Sequence, residues 1–165
     1  MMRAVPILVF LVFVVIAAVL LLHKKPASME VAPYPLPALR IHALQDVHAA
    51  FALDKSTHLI NFFASWCAPC IAEHSELVAL KKQFPSVTFH GIAWNDTSEN
   101  IETLLKTHGN PYHHLWLDSS GKAAIALGLR GVPESFIVRE GKVIYRLSGA
   151  IDASNRQTIM GILRE

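Results

Sequence analysis

Cysteine is scarce in this chain: its 165 residues include two, Cys67 and Cys70. One pair of thiols falls short of the two pairs that a structural zinc site commonly takes. The residue after Cys70 is Ile71, not the histidine that covalent attachment of c-type haem requires. An excess of one charge is missing too. The net charge is +2, and with Arg3, Lys24, Lys25 and Glu30 set aside, residues 38–165 hold 12 basic and 12 acidic side chains. Such a balance leaves no electrostatic footprint for nucleic acid. No internal repeat is present, and no small-x-small cleavage motif follows the apolar N-terminus, where His23-Lys24-Lys25 stands instead.

What is present divides into three parts. From Val5 to Leu22 run 18 residues without a charge, about the length a helix needs to cross a bilayer, with Pro6 near its start where a helix tolerates it. This predicts an N-terminal signal anchor over 1–25, transmembrane at about 5–22. Arg3 with the amino terminus roughly balances Lys24 and Lys25, so charge alone does not orient it. Residues 26–37, including "APYPLP", favour extended backbone and predict a semi-rigid stalk. Residues 38–165 then suffice for one domain with its own core.

Within that domain, Leu39 and Ile41 suggest a short strand and residues 46–53 a short helix. "HLINFFA", 58–64, has the nearly continuous apolar character of a strand buried on both faces. Behind the cysteines, Leu77, Leu80 and Phe84 carry helical spacing, which puts Pro69 in a first turn where its missing N–H costs nothing. A second buried strand is expected over 87–93. Asp96 and Glu99 suggest a capping box for a helix carrying Ile101, Leu104 and Leu105, ended by "HGNP". "LWLD" reads as a strand, 122–127 as a short helix, and two further strands around Glu140-Gly141 as a hairpin before a terminal helix with Ile159, Met160 and Leu163. The alternation predicts an α/β fold with a mixed central sheet flanked by helices, its cysteines at the carboxyl end of a central strand.

A disulfide that only stapled the fold would be poorly placed at Cys67–Cys70, because so short a loop removes little entropy from the unfolded chain. Copper(I) suits two thiolates and a histidine, but none of the nine histidines stands at ligand spacing to the cysteines, and they read as scattered surface residues. Redox exchange fits best. A cysteine at a helix N-terminus has its thiolate stabilised by the dipole and unpaired N–H groups. Cys67 can then attack a partner's disulfide while Cys70, one turn in, resolves the mixed disulfide.

"FFASWCAPC" resembles the thioredoxin superfamily, and "RGVPESF" resembles its second hallmark, a cis-proline that faces the disulfide. "WCAPCIAEH", "GNPY" and "LGLRGVPESF", together with the anchor, resemble more closely the membrane-anchored thiol:disulfide interchange proteins of cytochrome c biogenesis, the DsbE or CcmG type. The resemblance covers roughly residues 38–165. It implies a thioredoxin fold, a cis Val132–Pro133 bond, and a Val132 backbone offered to a bound substrate strand. It assigns Cys67 and Cys70 as catalytic, with Trp66 shielding one side of the sulfur and Pro69 between the pair. Glu73 and Glu134 map to acidic residues that tune the disulfide, and Glu73 is suited to take the proton of Cys70. Where thioredoxin has a buried aspartate, this chain has Asn61. The implied protein sits in the bacterial inner membrane with its domain in the periplasm, using no cofactor and no metal; the lack of an obvious spare apolar surface makes a monomer the expectation. Its expected partners are an apocytochrome c or a dithiol maturation protein, and a membrane electron donor of the DsbD or CcdA kind. A general extracytoplasmic reductant or oxidant is the alternative of the same class; a copper-binding assembly factor and a non-catalytic adaptor are the alternatives of others.

Overall fold

The computed structural model describes residues 5–22, 28–44 and 51–165. In chain order the elements are α1 (Val5–Leu22), β1 (Ser28–Pro35), β2 (His42–Ala43), β3 (Thr57–Phe63), α2 (Ala68–Gln83), β4 (Thr88–Trp94), α3 (Ser98–His108), β5 (His114–Asp118), α4 (Lys122–Ala126), β6 (Glu134–Arg139), β7 (Lys142–Ser148) and α5 (Arg156–Arg164). Seven strands form one sheet in the order β1-β7-β6-β3-β4-β5-β2. β3 pairs parallel with β4 and antiparallel with β6, so the sheet is mixed as expected.

Alternation along the strands sorts the core into two layers. Leu59 and Phe63 of β3 pack with Leu77 and Leu80 of α2, Ile101 and Leu104 of α3, and Ile159 and Leu163 of α5. On the other face Ile60 and Phe62 pack with Ala123 and Ala124 of α4, Phe136, and Leu39 and Ile41. The central apolar strand is thus covered on both sides, which is why its sequence shows no alternation.

Three expectations need correction. The segment predicted as a stalk contributes β1, which pairs antiparallel with β7. Proline is tolerated there because β1 is an edge strand, and Val31, Tyr34 and Leu36 pack against the second core layer. The strand predicted at Leu39–Ile41 is irregular backbone with both side chains buried, and the short strand follows at His42. α3 is capped by Thr97, whose hydroxyl accepts from Asn100 N–H at 3.3 Å, not by Asp96. The helix expected over 46–53 lies largely outside the described residues, and 51–53 are not helical. In the hairpin, Glu140 and Gly141 both take positive φ, 51° and 71°, the backbone of a tight primed turn.

α1 is a single apolar helix whose described large side chains, Val9 to Ile16, are all exposed. Among the described residues no helix is long and apolar enough to cross a membrane. At about 1.5 Å per residue its 18 residues rise about 27 Å, just under the roughly 30 Å of a hydrocarbon core.

Candidate functional site: the Cys67–Cys70 disulfide

β3 delivers the chain to the sheet's carboxyl edge, and Cys67 opens α2 as its N-cap with extended backbone (φ −95°, ψ 103°). Its Sγ accepts from Cys70 N–H at 3.2 Å, and the two sulfurs are bonded at 2.10 Å with Cα atoms 5.3 Å apart. Pro69 lies in the first turn as predicted. The sulfur of Cys67 therefore sits where orphan helix N–H groups and the positive dipole end converge, which on reduction favours its thiolate. Both cysteines are largely buried, Cys70 the deeper at 2 % exposure against 5 %.

The turn is clamped by the neighbouring strand's loop. Asp96 Oδ2 accepts from Ser65 N–H at 2.6 Å, and Trp66 Nε1 donates to the Asn95 carbonyl at 3.1 Å. Asn95 reaches that position through a positive φ of 49°, a conformation that asparagine tolerates better than most residues. Trp66 remains 56 % exposed, tilted against Trp94 at 6.0 Å between ring centroids. It stands immediately before the sulfur as an apolar surface open to a partner.

Beneath the disulfide lies a polar network that the sequence reading found only in part. Glu73, three residues after Cys70 and on the same face of α2, is 1 % exposed. Its Oε1 accepts from Asn61 Nδ2 at 2.9 Å and its Oε2 from Ile151 N–H at 2.7 Å. Asn61 Nδ2 also donates to Ser135 Oγ at 3.0 Å, and Tyr112 Oη donates to Asn61 Oδ1 at 2.7 Å. Burial raises the Glu73 carboxyl to about 7, outweighing the two hydrogen bonds that favour its charged form. An isolated glutamate on a helix reads as exposed. Only its place in "AEH" marked it, and nothing in "GNPY" showed that Tyr112 would reach the same network.

The Val132–Pro133 bond is cis, and the register opposes Glu134 to Phe62, so Pro133 lies at the edge where β3 turns into Cys67. Val132 is partly buried, packing against both core layers. Glu134, expected to tune the disulfide, is placed otherwise. It shares the face of β6 that carries Phe136 and Val138, opposite the layer of Cys67 and Cys70. There Arg146 grips both its oxygens, Nε on Oε1 at 2.8 Å and Nη2 on Oε2 at 3.0 Å, while Arg130 N–H and Ser148 Oγ also donate to it. A carboxylate so neutralised and turned away is a tie between strands, holding the loop that contains Pro133.

The histidines also depart from expectation, since His58, His74 and His90 are buried. Trp116 Nε1, a donor only, bonds His90 Nδ1 at 3.3 Å. His90 Nε2 therefore donates to His58 Nδ1 at 3.1 Å, and His58 Nε2 to Asp54 at 3.0 Å. The chain begins at the amino end of β3, opposite the end that carries the cysteines. Among the described residues no group of three or more histidine, cysteine or acidic side chains is arranged to hold a metal.

A disulfide at a helix N-cap, a buried carboxyl one turn below, a cis-proline at the same sheet edge and a mixed sheet between two helical layers define a thioredoxin-fold thiol:disulfide oxidoreductase. A family model described as Redoxin matches residues 35–159. Thiol:disulfide interchange protein HelX of Rhodobacter capsulatus is 36 % identical over 120 residues, covering 70 % of this chain and 66 % of its own. Thiol:disulfide interchange protein DsbE of Allochromatium vinosum is 31 % identical over 150 residues, covering 86 % and 82 %. A secreted thiol-disulfide isomerase from Corynebacterium glutamicum superposes with a TM-score of 0.73 over 87 % of this chain and 95 % of its own, at 16 % identity, which shows the shared fold. The chain belongs to the Redoxin family, and within it to the thiol:disulfide interchange proteins of the DsbE type.

Proposed function

We propose that the chain is a reductant of extracytoplasmic disulfides, anchored in a bacterial inner membrane with its domain in the periplasm. There it keeps the C-x-x-C-H thiols of an apocytochrome c, or the dithiol of a maturation partner, reduced for haem attachment. The observation that carries this reading is the placement of Cys67 at the N-cap of α2 with Cys70 one turn in and Glu73 below it. In the reduced protein the Cys67 thiolate attacks one sulfur of the partner's disulfide, whose S–S bond breaks as a mixed disulfide forms. Cys70 gives its proton to the Glu73 carboxylate, and its thiolate attacks Cys67 Sγ. The Cys67–Cys70 bond forms, the second partner sulfur leaves as a thiolate, and two electrons have passed to the partner. A membrane thiol carrier of the DsbD or CcdA kind then reduces the disulfide, its own dithiol becoming oxidised.

The tether rests on α1, whose exposed apolar side chains need a cover that water does not provide. Trp66 and the turn around Pro133 supply partner contact and positioning, and the Val132 backbone meets an extended substrate. Two variants test the reading in cells that assemble c-type cytochromes. Cys67→Ser abolishes assembly, with restoration by added dithiol, and Cys70→Ser accumulates a covalent mixed disulfide with the partner. Full cytochrome assembly by Cys67→Ser would overturn it.

A further inference from the structure

Tyr112 closes the hydrogen-bond chain that ends on Glu73. We infer that it is a positioning residue for the exchange, fixing the Asn61 amide so that the carboxyl beneath the disulfide is held in its proton-accepting form. The inference rests on the dithiol reading above and extends it to a residue 45 positions from Cys67.

The ring of Tyr112 is held on several sides. It stacks on Phe63 at 4.9 Å between centroids and meets His74 edge-on at 6.3 Å. Against its other side lies Gly91, where a Cβ would fall 2.7 Å from the ring, so only glycine leaves it room. Its backbone is fixed as well, the N–H donating to Asn110 Oδ1 at 2.9 Å and the carbonyl accepting from Lys81 Nζ at 3.0 Å. These contacts aim one hydroxyl at one acceptor, Asn61 Oδ1.

The two ends of an asparagine amide have nearly the same shape and opposite polarity. In the orientation seen, the amide turns Nδ2 towards Glu73 Oε1, a bond that the carboxylate accepts and that favours its charged form. Rotated by half a turn, Asn61 would present Oδ1 to Glu73 and would require that carboxyl to be protonated. The Tyr112 hydroxyl would then have to accept from Nδ2 and would lose its acceptor. Tyr112 therefore biases the amide, and through it the proton on Glu73. Glu73 is bonded by Asn61 of β3 and by Ile151 N–H after β7, Ser135 of β6 and Tyr112 reach it only through Asn61, and Cys70 stands one turn before it on α2 with Cys67 at the N-cap; those that titrate are the two thiols, once reduced, and the phenol. Burial, reinforced by the negative charge of Glu73, holds the phenol well above its ordinary value, so it stays a donor through the working range. Burial keeps the neighbouring His74 low, and thus neutral near pH 7.

The test follows the resolving step in the full-length protein in detergent. Reduced protein treated with the aromatic disulfide 5,5′-dithiobis(2-nitrobenzoate) forms a mixed disulfide on Cys67 with release of one coloured thiolate, and attack by Cys70 on Cys67 Sγ releases a second, the rate of that second release being read against pH. The wild-type profile is expected to inflect near the Glu73 value of about 7. Tyr112→Phe, which keeps the ring, shifts it upward by about one pH unit, and Asn61→Ala shifts it in the same direction. Glu73→Gln removes the inflection, and adding Tyr112→Phe to it changes nothing further. A Tyr112→Phe profile that superimposes on wild type, an unshifted Asn61→Ala profile, or an equal effect of Tyr112→Phe with and without Glu73 overturns the inference. Failure of the wild-type protein to form and resolve the mixed disulfide would instead bring down the dithiol reading itself, and this inference with it.

Discussion

Glu73 is the residue at which chemistry and stability conflict. Its carboxyl, ordinarily near 4.5, is raised to about 7 by burial, so the folded state binds its proton more tightly than the unfolded state. Linkage fixes the sign: stability falls as pH rises from about 4.5 to about 7, by up to about 3 kcal/mol. Denaturant melts of the oxidised protein across that window should show the decline, and Glu73→Gln should remove it. His90 acts in the opposite direction. Its ring, ordinarily near 6.5, is held down to about 3 by burial and by the neighbouring His58 and His114. The unfolded state therefore takes up its proton first, and stability is lost as pH falls from about 6.5 towards 3, by up to about 5 kcal/mol. His90→Asn should flatten the acid limb and leave thiol exchange unchanged, because the Asp54–His58–His90–Trp116 chain starts at the opposite end of β3 from Cys67.

At the level of elements, β1 decides where the folded unit begins. A fragment starting at Ala38 removes β1 and leaves the hydrogen-bonding edge of β7 bare, an invitation to edge-to-edge association. It also strips Val31, Tyr34 and Leu36 from the second core layer. Size-exclusion chromatography should find that fragment less soluble and partly associated, whereas one starting at Ala27 stays monomeric. Indistinguishable behaviour would show β1 to be dispensable. The sequence could not reveal this strand because proline reads as extended chain whether or not a neighbour pairs with it. The buried strand at Leu59–Phe63, the helix behind the cysteines and the Glu140-Gly141 hairpin were legible, since periodicity and turn chemistry are local signals. The contacts from Tyr112 to Asn61 and from Arg146 to Glu134 were not, because they depend on which strands become neighbours. Glu134 shows the difference. Its motif located it one residue from Pro133, but the parity of β6 turned its side chain away from the sulfurs.

For the molecule as a whole, an apolar helix with exposed side chains precedes a near-neutral domain whose redox pair lies at one edge of the sheet. If that helix is a membrane anchor, the intact chain should sediment with membranes and require detergent for release. Reduction of other proteins by such a pair depends on its potential, which reflects how the fold stabilises dithiol against disulfide; 30 mV corresponds to about 1.4 kcal/mol for a two-electron couple. The decisive measurement is the equilibrium potential of Cys67/Cys70 in the full-length protein, titrated against defined thiol–disulfide buffers at pH 7. A reductant supplied through a membrane carrier should lie near about −270 mV or modestly above it. A value near about −120 mV would make the protein a strong oxidant, reversing the proposed flow of electrons while leaving the fold and both cysteines in place.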